Sequence, residues 1–440
     1  MEILIKAAQL LLSLSILVIF HEFGHFIAAK IFKTRVEKFY LFFNPWFSLL
    51  KFKKGETEYG VGWLPLGGYV KISGMIDESM DKEQMGQPPQ PHEFRSKPSW
   101  QRLIIMVGGV TVNILLAIAI YIGLLWVWGE QYLPTSEVRY GIVADSVAEQ
   151  MGLRDGDKIL TIDNEYVEDF YKIPGKIILD NAKTIQVTRD GKPYTVSIPD
   201  GFIARLLKHQ STEFINPRVP FIIDKFTKDS PAEKAGLKSG DRVIGINDSI
   251  LPYFDQYKDV LDKHAREEIS LIALRGTDTL NFNVQLDESA KVGAFLIHPN
   301  KIFKIKEHEY TLISAIPAGF NRTWKQMGSY MKQLKLLFLP EVKAYESVGG
   351  FISIGNIFPA QWDWLSFWSL TAFLSIMLGI LNLLPIPALD GGHVLFLLYE
   401  IVTGRKPSDK FLEYAQIVGM VLLFGLLILA NGNDIVKLFR

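Results

Sequence analysis

Long apolar runs alternate with polar stretches along this chain. Four runs are long enough to cross a bilayer, which takes roughly 20 mostly apolar residues in a helix. They lie at Ile3 to Ala29, Ile104 to Trp128, Phe367 to Leu398 and Tyr414 to Ala430. The third is over-long and contains Pro385 and Pro387, so it reads as a broken helix. A weaker pattern spans Ser314 to Phe338. There Ile316, Phe320, Trp324, Met327, Met331 and Leu334 recur at helical spacing, with Arg322, Lys325, Lys332 and Lys335 mostly elsewhere. That is the profile of a helix lying on a membrane surface, and docking on the membrane core or guiding substrate fits it equally. Thr57 to Gly74 is rich in strand formers, with turn glycines Gly67 and Gly68, and predicts a β-hairpin. Met85 to Pro98, rich in Pro and Gln, predicts a loop without regular structure.

The polar segment between the second and third runs repeats itself. SVAEQMGLRDGDKILTIDN begins at Ser146 and SPAEKAGLKSGDRVIGIND at Ser230, so that Gly152, Leu153, Gly156 and Asp157 match Gly236, Leu237, Gly240 and Asp241. In the second copy a short helix from Ala232 to Ala235 ends at Gly236, where a left-handed cap is easy. Ser239–Gly240–Asp241 makes a turn, and Arg242 to Asn247 alternates as a strand. The pattern resembles PDZ domains of the bacterial, circularly permuted kind. A PDZ groove captures peptides by strand addition, whereas a steric cap would only exclude bulky substrates; the sequence leaves both open.

Composition adds constraints. At 440 residues the chain exceeds one compact domain, and a 48% hydrophobic share fits membrane segments joined to soluble modules. Lys+Arg and Asp+Glu are balanced at 47 each, so no overall field favours nucleic acid. There is no cysteine, which excludes disulfides, thiolate ligands and a cysteine nucleophile. Any metal must be held by His and carboxylates. Lys30, Lys33, Arg35, Lys38, Arg95, Lys97 and Arg102 follow the first run, and Arg405, Lys406 and Lys410 precede the fourth. Both loops are therefore expected on the cytoplasmic side, with Glu130 to Trp364 and both termini on the other. A cleavable signal peptide fits the first run poorly, because it lacks an Ala-x-Ala-type site and carries a polar cluster.

That cluster is the chemical signal. In HEFGH, His21 and His25 sit four residues apart and so share one helix face, with Glu22 beside them. His-Glu-x-x-His supplies two zinc ligands and a general base for hydrolysis. A metal also accounts for imidazoles at membrane depth, where unpaired polar groups are costly. A third ligand should be another isolated polar residue in a span. Asp390 meets this: it is the sole acid between Asp363 and Glu400. It lies in Asn-x-x-Pro-x-Pro-x-Leu-Asp-Gly, present as Asn382, Pro385, Pro387, Leu389, Asp390 and Gly391. His393 is set aside as a fourth ligand, since a hydrolytic zinc needs an open position.

Together the HEFGH run, the tandem insert and the Leu-Asp-Gly motif resemble the site-2 protease family of intramembrane zinc metalloproteases over nearly the whole chain. The resemblance implies that His21, His25 and Asp390 bind Zn2+ and that Glu22 is the catalytic base. It implies hydrolysis within transmembrane segments of single-pass proteins, such as anti-sigma factors already trimmed by another protease, or signal-peptide remnants, in a cell inner membrane. The 57–74 hairpin is then expected to dip into the cytoplasmic side of the membrane, where its edge, at Gly67 and Gly68, could pair with unwound substrate, and Asn382 could bond the substrate backbone. Two departures from the family pattern are Gly109-Val110-Thr111-Val112-Asn113, which lacks a proline, and Gly349-Gly350-Phe351.

The expected fold is a multi-pass α-helical membrane protein of about four spans, with a membrane-associated β-hairpin and two PDZ-like α+β domains. The expected divisions are a membrane core at 1–131, PDZ-like domains at 132–212 and 213–300, an amphipathic helix and linker at 301–364, and a second membrane core at 365–440. Two rivals remain: a non-catalytic PDZ-bearing membrane scaffold, for which Glu22 and Asp390 have no use, and a membrane metalloprotease acting on soluble peptides, whose third ligand is usually a Glu or His on a downstream helix.

Overall fold

A computed structural model describes residues 1–65, 67–75, 87–202, 205–206, 214–336 and 348–439. These form two compact units: residues 1–129 with 309–336 and 348–439, and residues 130–308. The start of the Met85 to Pro98 loop, the end of the Ser314 to Phe338 helix and the boundary expected between 212 and 213 lie outside the described residues.

Within the first unit, four helices are long and apolar enough to cross a membrane: Glu2–Ile31, Ser99–Trp128, Trp364–Asn382 and Lys410–Leu438. The helix α1 (Glu2–Ile31) leads into strands β1 (Val36–Leu41), β2 (Phe43–Lys54), β3 (Thr57–Leu64) and β4 (Tyr69–Ile72), and then α2 (Ser99–Trp128). Along the second unit run β5 (Glu130–Tyr132), β6 (Ile142–Ala144), α3 (Ser146–Met151), β7 (Lys158–Ile162), α4 (Ile173–Leu179), β8 (Thr184–Arg189), β9 (Lys192–Ser197) and β10 (Ile215–Pro217). The second repeat follows with β11 (Phe221–Phe226), α5 (Pro231–Lys234), β12 (Arg242–Ile246), β13 (Ser249–Ile250), α6 (Lys258–Asp262), β14 (Glu268–Arg275), β15 (Asp278–Gln285) and β16 (Ala294–Leu296). After α7 (Pro299–Ile302) and β17 (Lys306–His308), the first unit resumes with α8 (Leu312–Leu336), α9 (Phe351–Ile357), α10 (Trp364–Asn382), α11 (Asp390–Thr403) and α12 (Asp409–Leu438).

Helices α1 and α2 cross backbone to backbone. A Cβ on Gly24 would stand 2.8 Å from the Gly109 Cα, and one on Gly108 would stand 2.6 Å from the Gly24 carbonyl oxygen. Glycines of this kind let membrane helices approach closely. At the cytoplasmic end predicted from charge, buried Arg102 of α2 is clamped to Glu400 of α11 at 2.5 Å. The third apolar run is broken as its prolines require. Helix α10 stops at Asn382, the turn through Pro385 and Pro387 follows, and α11 starts at Asp390. Gly391 and Gly392 have no room for a side chain, because the turn folds back over the first turn of α11.

The expected hairpin from 57 to 74 is corrected by the sheet, whose order is β2-β3-β1-β4. Strands β3 and β4 both exist but do not pair with each other. Between them lies β1, parallel to β3 and antiparallel to β4. The hairpin is instead β2–β3, closed at Gly55, whose φ of +63° suits glycine. Strand β1 falls within the basic loop that follows the first span. Helix α8 docks on α2 through its small residues: Ala315, Gly319 and Thr323 are buried, and a Cβ on Gly319 would meet the Ile122 backbone at 2.8 Å. Ile313, Ile316, Phe320, Trp324 and Met331 form a separate exposed stripe on the same helix.

The two repeats of the second unit match in detail. Each short helix ends at a left-handed glycine, Gly152 at φ +102° and Gly236 at φ +95°. In each, the aspartate that follows is gripped by an arginine at the end of a later strand. Arg189 donates to Asp157 at 2.8 and 2.7 Å, and Arg275 to Asp241 at the same two distances. Each arginine also donates to its helix-ending glycine, Gly152 or Gly236. Strand β10 pairs with β6 of the first repeat, so hydrogen bonding carries that repeat to Pro217.

Candidate metal centre

The centre is assembled by α1, α2, α10 and the start of α11. Four-residue spacing places His21 and His25 on the buried face of α1. Asp390 occupies the first turn of α11, where the helix dipole favours negative charge. His21 Nε2 and His25 Nε2 are each 3.2 Å from Asp390 Oδ2, and 3.3 Å from one another. Among the described residues this is the one group of three histidine or acidic side chains close enough to share an ion. His393, one turn further along α11, is not among the three.

The orientation of the rings tests the fit of a metal. His25 Nδ1 lies 2.8 Å from the Ile105 carbonyl oxygen, which can only accept. In the neutral imidazole that puts the proton on Nδ1 and a lone pair on Nε2, facing a carboxylate. Asp390 Oδ2 is buried and has no hydrogen-bond partner. His25 Nε2 and Asp390 Oδ2 therefore face one another with nothing between them to compensate, which a dication would supply. Atoms bound tetrahedrally at the usual zinc distances of about 2.0–2.1 Å stand ~3.3 Å apart, matching the triangle's sides. Two imidazole nitrogens and a carboxylate oxygen are also a donor set suited to zinc.

Space for the rings comes from α2. A Cβ on Gly109 would lie 2.7 Å from His21 Cε1 and collide with His25 Nε2. Asn113, one turn further and fully buried, places its amide nitrogen 3.1 Å from His21 Nδ1. The Asn382 amide nitrogen stands 3.2 Å from His21 Nε2. Glu22, half-buried, follows His21 on α1, and a Cβ on Gly68 would sit 3.6 Å from its Cγ and 2.6 Å from Val18. Gly67 leads into the same approach at φ +142°. His21, Glu22 and His25 thus lie on α1, Gly67 and Gly68 just before β4, Asn382 and Asp390 at the two ends of the α10–α11 break, and His393 within α11. Gly109 and Asn113 were noted only as part of a departure from a family pattern. An isolated amide in an apolar span is the same kind of signal that picked out Asp390, and would have found Asn113.

Fold and site together define a zinc metalloprotease built into a bundle of membrane-length helices. The chain belongs to peptidase family M50, which it matches over residues 9–426. It is 27% identical to the regulator of sigma E protease of Haemophilus influenzae, over the full length of both. It is 28% identical to the protease RseP of Yersinia pestis, again over both full lengths. A Rickettsia conorii protein named as a candidate zinc metalloprotease is 29% identical, over 98% of each chain. Function therefore follows the family: this is an intramembrane protease of the site-2 kind, with zinc as cofactor.

Proposed function

We propose that this enzyme cuts peptide bonds within the transmembrane segments of single-pass membrane proteins, with His21, His25 and Asp390 as zinc ligands and Glu22 as general base. The observation that carries the reading is the triangle of two imidazole nitrogens and one carboxylate oxygen on membrane-length helices. Bound zinc supplies Lewis acidity toward an amide carbonyl and an attacking water. Glu22 takes the proton from that water and delivers it to the leaving amine. Asn382, whose amide nitrogen lies beside His21 Nε2, is assigned to donate to the substrate backbone.

A transmembrane helix hides its carbonyls in its own hydrogen bonds, so substrate must be held extended. Strand β4 supports this role. It ends the sheet among the described residues, and Gly68 brings its start against Val18 and Glu22 of α1, while Gly67 packs on Phe43. An unwound segment adding to that edge would present its carbonyls to the triangle. The two repeats are assigned as PDZ-like modules on the extracytoplasmic side of an inner membrane, with the metal toward the cytoplasm. The basic loops after the first run and before the fourth support that orientation. The names of the relatives support anti-sigma factors as one substrate class. The scaffold reading has no use for three converging donors.

The test is metal content measured beside cleavage of a reporter transmembrane substrate in detergent. Glu22→Gln is expected to keep zinc and lose cleavage, and Asp390→Asn to lose zinc. Parental cleavage by the first variant, or full occupancy in the second, would remove the assigned roles.

A further inference from the structure

Both imidazoles of the triangle are braced from behind by α2. For His25 the brace is the Ile105 carbonyl at 2.8 Å. For His21 it is the Asn113 side chain, which is fully buried. Asn113 is itself held in place: its backbone carbonyl accepts from Ser375 Oγ of α10 at 2.7 Å, and Gly379 of α10 faces its Cβ. The amide nitrogen faces His21 Nδ1, while Asn113 Oδ1 is buried with no hydrogen-bond partner.

A ring that offers the Nε2 lone pair to a cation must carry its proton on Nδ1, and an N–H cannot bond an amide NH2. Turning the amide over removes the mismatch at His21. Its oxygen then accepts from Nδ1–H, and no buried acceptor is left open. The two orientations occupy nearly the same space, and the hydrogen bonds decide between them. We propose that Asn113 is a positioning residue that fixes His21 in the Nδ1–H form and aims Nε2 at the metal. The role rests on the reading of His21 as a ligand. Partners of this kind orient metal-bound histidines and raise their affinity.

Zinc affinity of the full-length protein in detergent, measured by chelator competition, tests this in three variants. Asn113→Leu keeps the volume but loses the acceptor, and is expected to weaken zinc binding ~10–100-fold. Asn113→Asp keeps an acceptor oxygen and is expected to recover most of that loss. His21→Gln reports on the ligand itself. Parental affinity in Asn113→Leu together with lost affinity in His21→Gln would overturn the positioning role alone. Parental affinity in His21→Gln would overturn the ligand reading. Equal weakening by Leu and Asp would reduce Asn113 to a packing residue and also overturn the proposal. A readout that needs no variant is the 15N spectrum of histidine-labelled, zinc-loaded parent. The expected His21 signature is a proton on Nδ1 and metal on Nε2, and metal on Nδ1 would overturn the assignment.

Discussion

Gly109 shows how one methyl group can govern the metal centre. Its missing Cβ would occupy space taken by both imidazoles, within 2.9 Å of His21 Nδ1. The rings are packed between α1 and α2 and cannot retreat without breaking the Ile105 contact. Gly109→Ala is therefore expected to lower zinc affinity by at least ~10-fold with the helices still formed. Chelator competition beside circular dichroism would check both halves. At this scale the triangle and its neighbour Glu22 were legible because charge and imidazole are conspicuous in hydrocarbon. His21, Glu22, His25 and Asp390 were each read from an apolar background. The residues that make room or brace from behind were not legible, because glycine and a single amide carry little pattern by themselves. Their role exists only once α1 and α2 are brought together.

The sheet beside α1 shows where pattern reading fails for an element. The strand-forming residues of 57–74 do fall in β3 and β4, but pairing is a property of three dimensions. Two strands separated by three to five residues that include Gly are ordinarily read as a hairpin, and four residues separate β3 from β4. Here β1 takes the position between them, parallel to β3. The consequence is that β4 ends the sheet and presents its outer edge, with Gly68, just before it, in contact with α1. A Cβ there would stand 2.6 Å from both the Tyr40 carbonyl oxygen and Val18 Cγ1. Gly68→Val is expected to push the start of β4 away from α1 and reduce cleavage ~10-fold or more by displacing bound substrate. Zinc content is expected to stay parental, since no ligand touches Gly68. A cleavage assay paired with metal analysis separates this outcome from damage to the centre. The broken third run, by contrast, was legible in full outline, because Pro385 and Pro387 cannot continue a helix.

For the whole molecule, the repeat unit has a stability of its own to be tested. Burial alone would raise the Asp241 carboxyl, but the Arg275 guanidinium and the Lys238 backbone N–H outweigh it and hold its pKa below the usual carboxylate range. The unfolded chain therefore takes up this proton at higher pH than the folded one. The contribution is complete above about pH 4 and is lost as pH falls through the folded value. Hydrogen exchange of Glu268–Arg275 in the full chain is expected to be faster in Asp241→Asn than in the parent at neutral pH. The difference in protection should shrink on acidification. The internal repeat was plain from the spacing of Gly-Leu-x-x-Gly-Asp, but its arginine partner was not. Arg189 and Arg275 lie on later strands, where no local rule ties them to Asp157 and Asp241.

The same unit is inserted in a way that permits its removal. Strands β5 and β17 pair antiparallel, with Glu130 opposite His308, so the unit begins and ends on neighbouring positions. The pairing is reinforced by Lys306 and Tyr132, which both reach Glu168, at 2.7 and 2.5 Å. Opposed residues in such a pair are only about 5 Å apart, a gap that a two-residue Asn-Gly turn spans. Replacing residues 131–307 by that turn leaves every residue of the first unit in place, including the triangle, β4 and the α10–α11 break. If the repeats serve to exclude bulk, the shortened protein should keep zinc and cleave the reporter segment at a parental rate. It should also accept the same segment fused to a folded outer domain, which the parent refuses. If the repeats capture peptide ends, the shortened protein should lose cleavage of trimmed substrates and gain nothing with bulky ones. Both repeats carry the same arginine clamp, and the exclusion outcome is the one expected. Loss of activity toward every substrate with zinc retained would count against it.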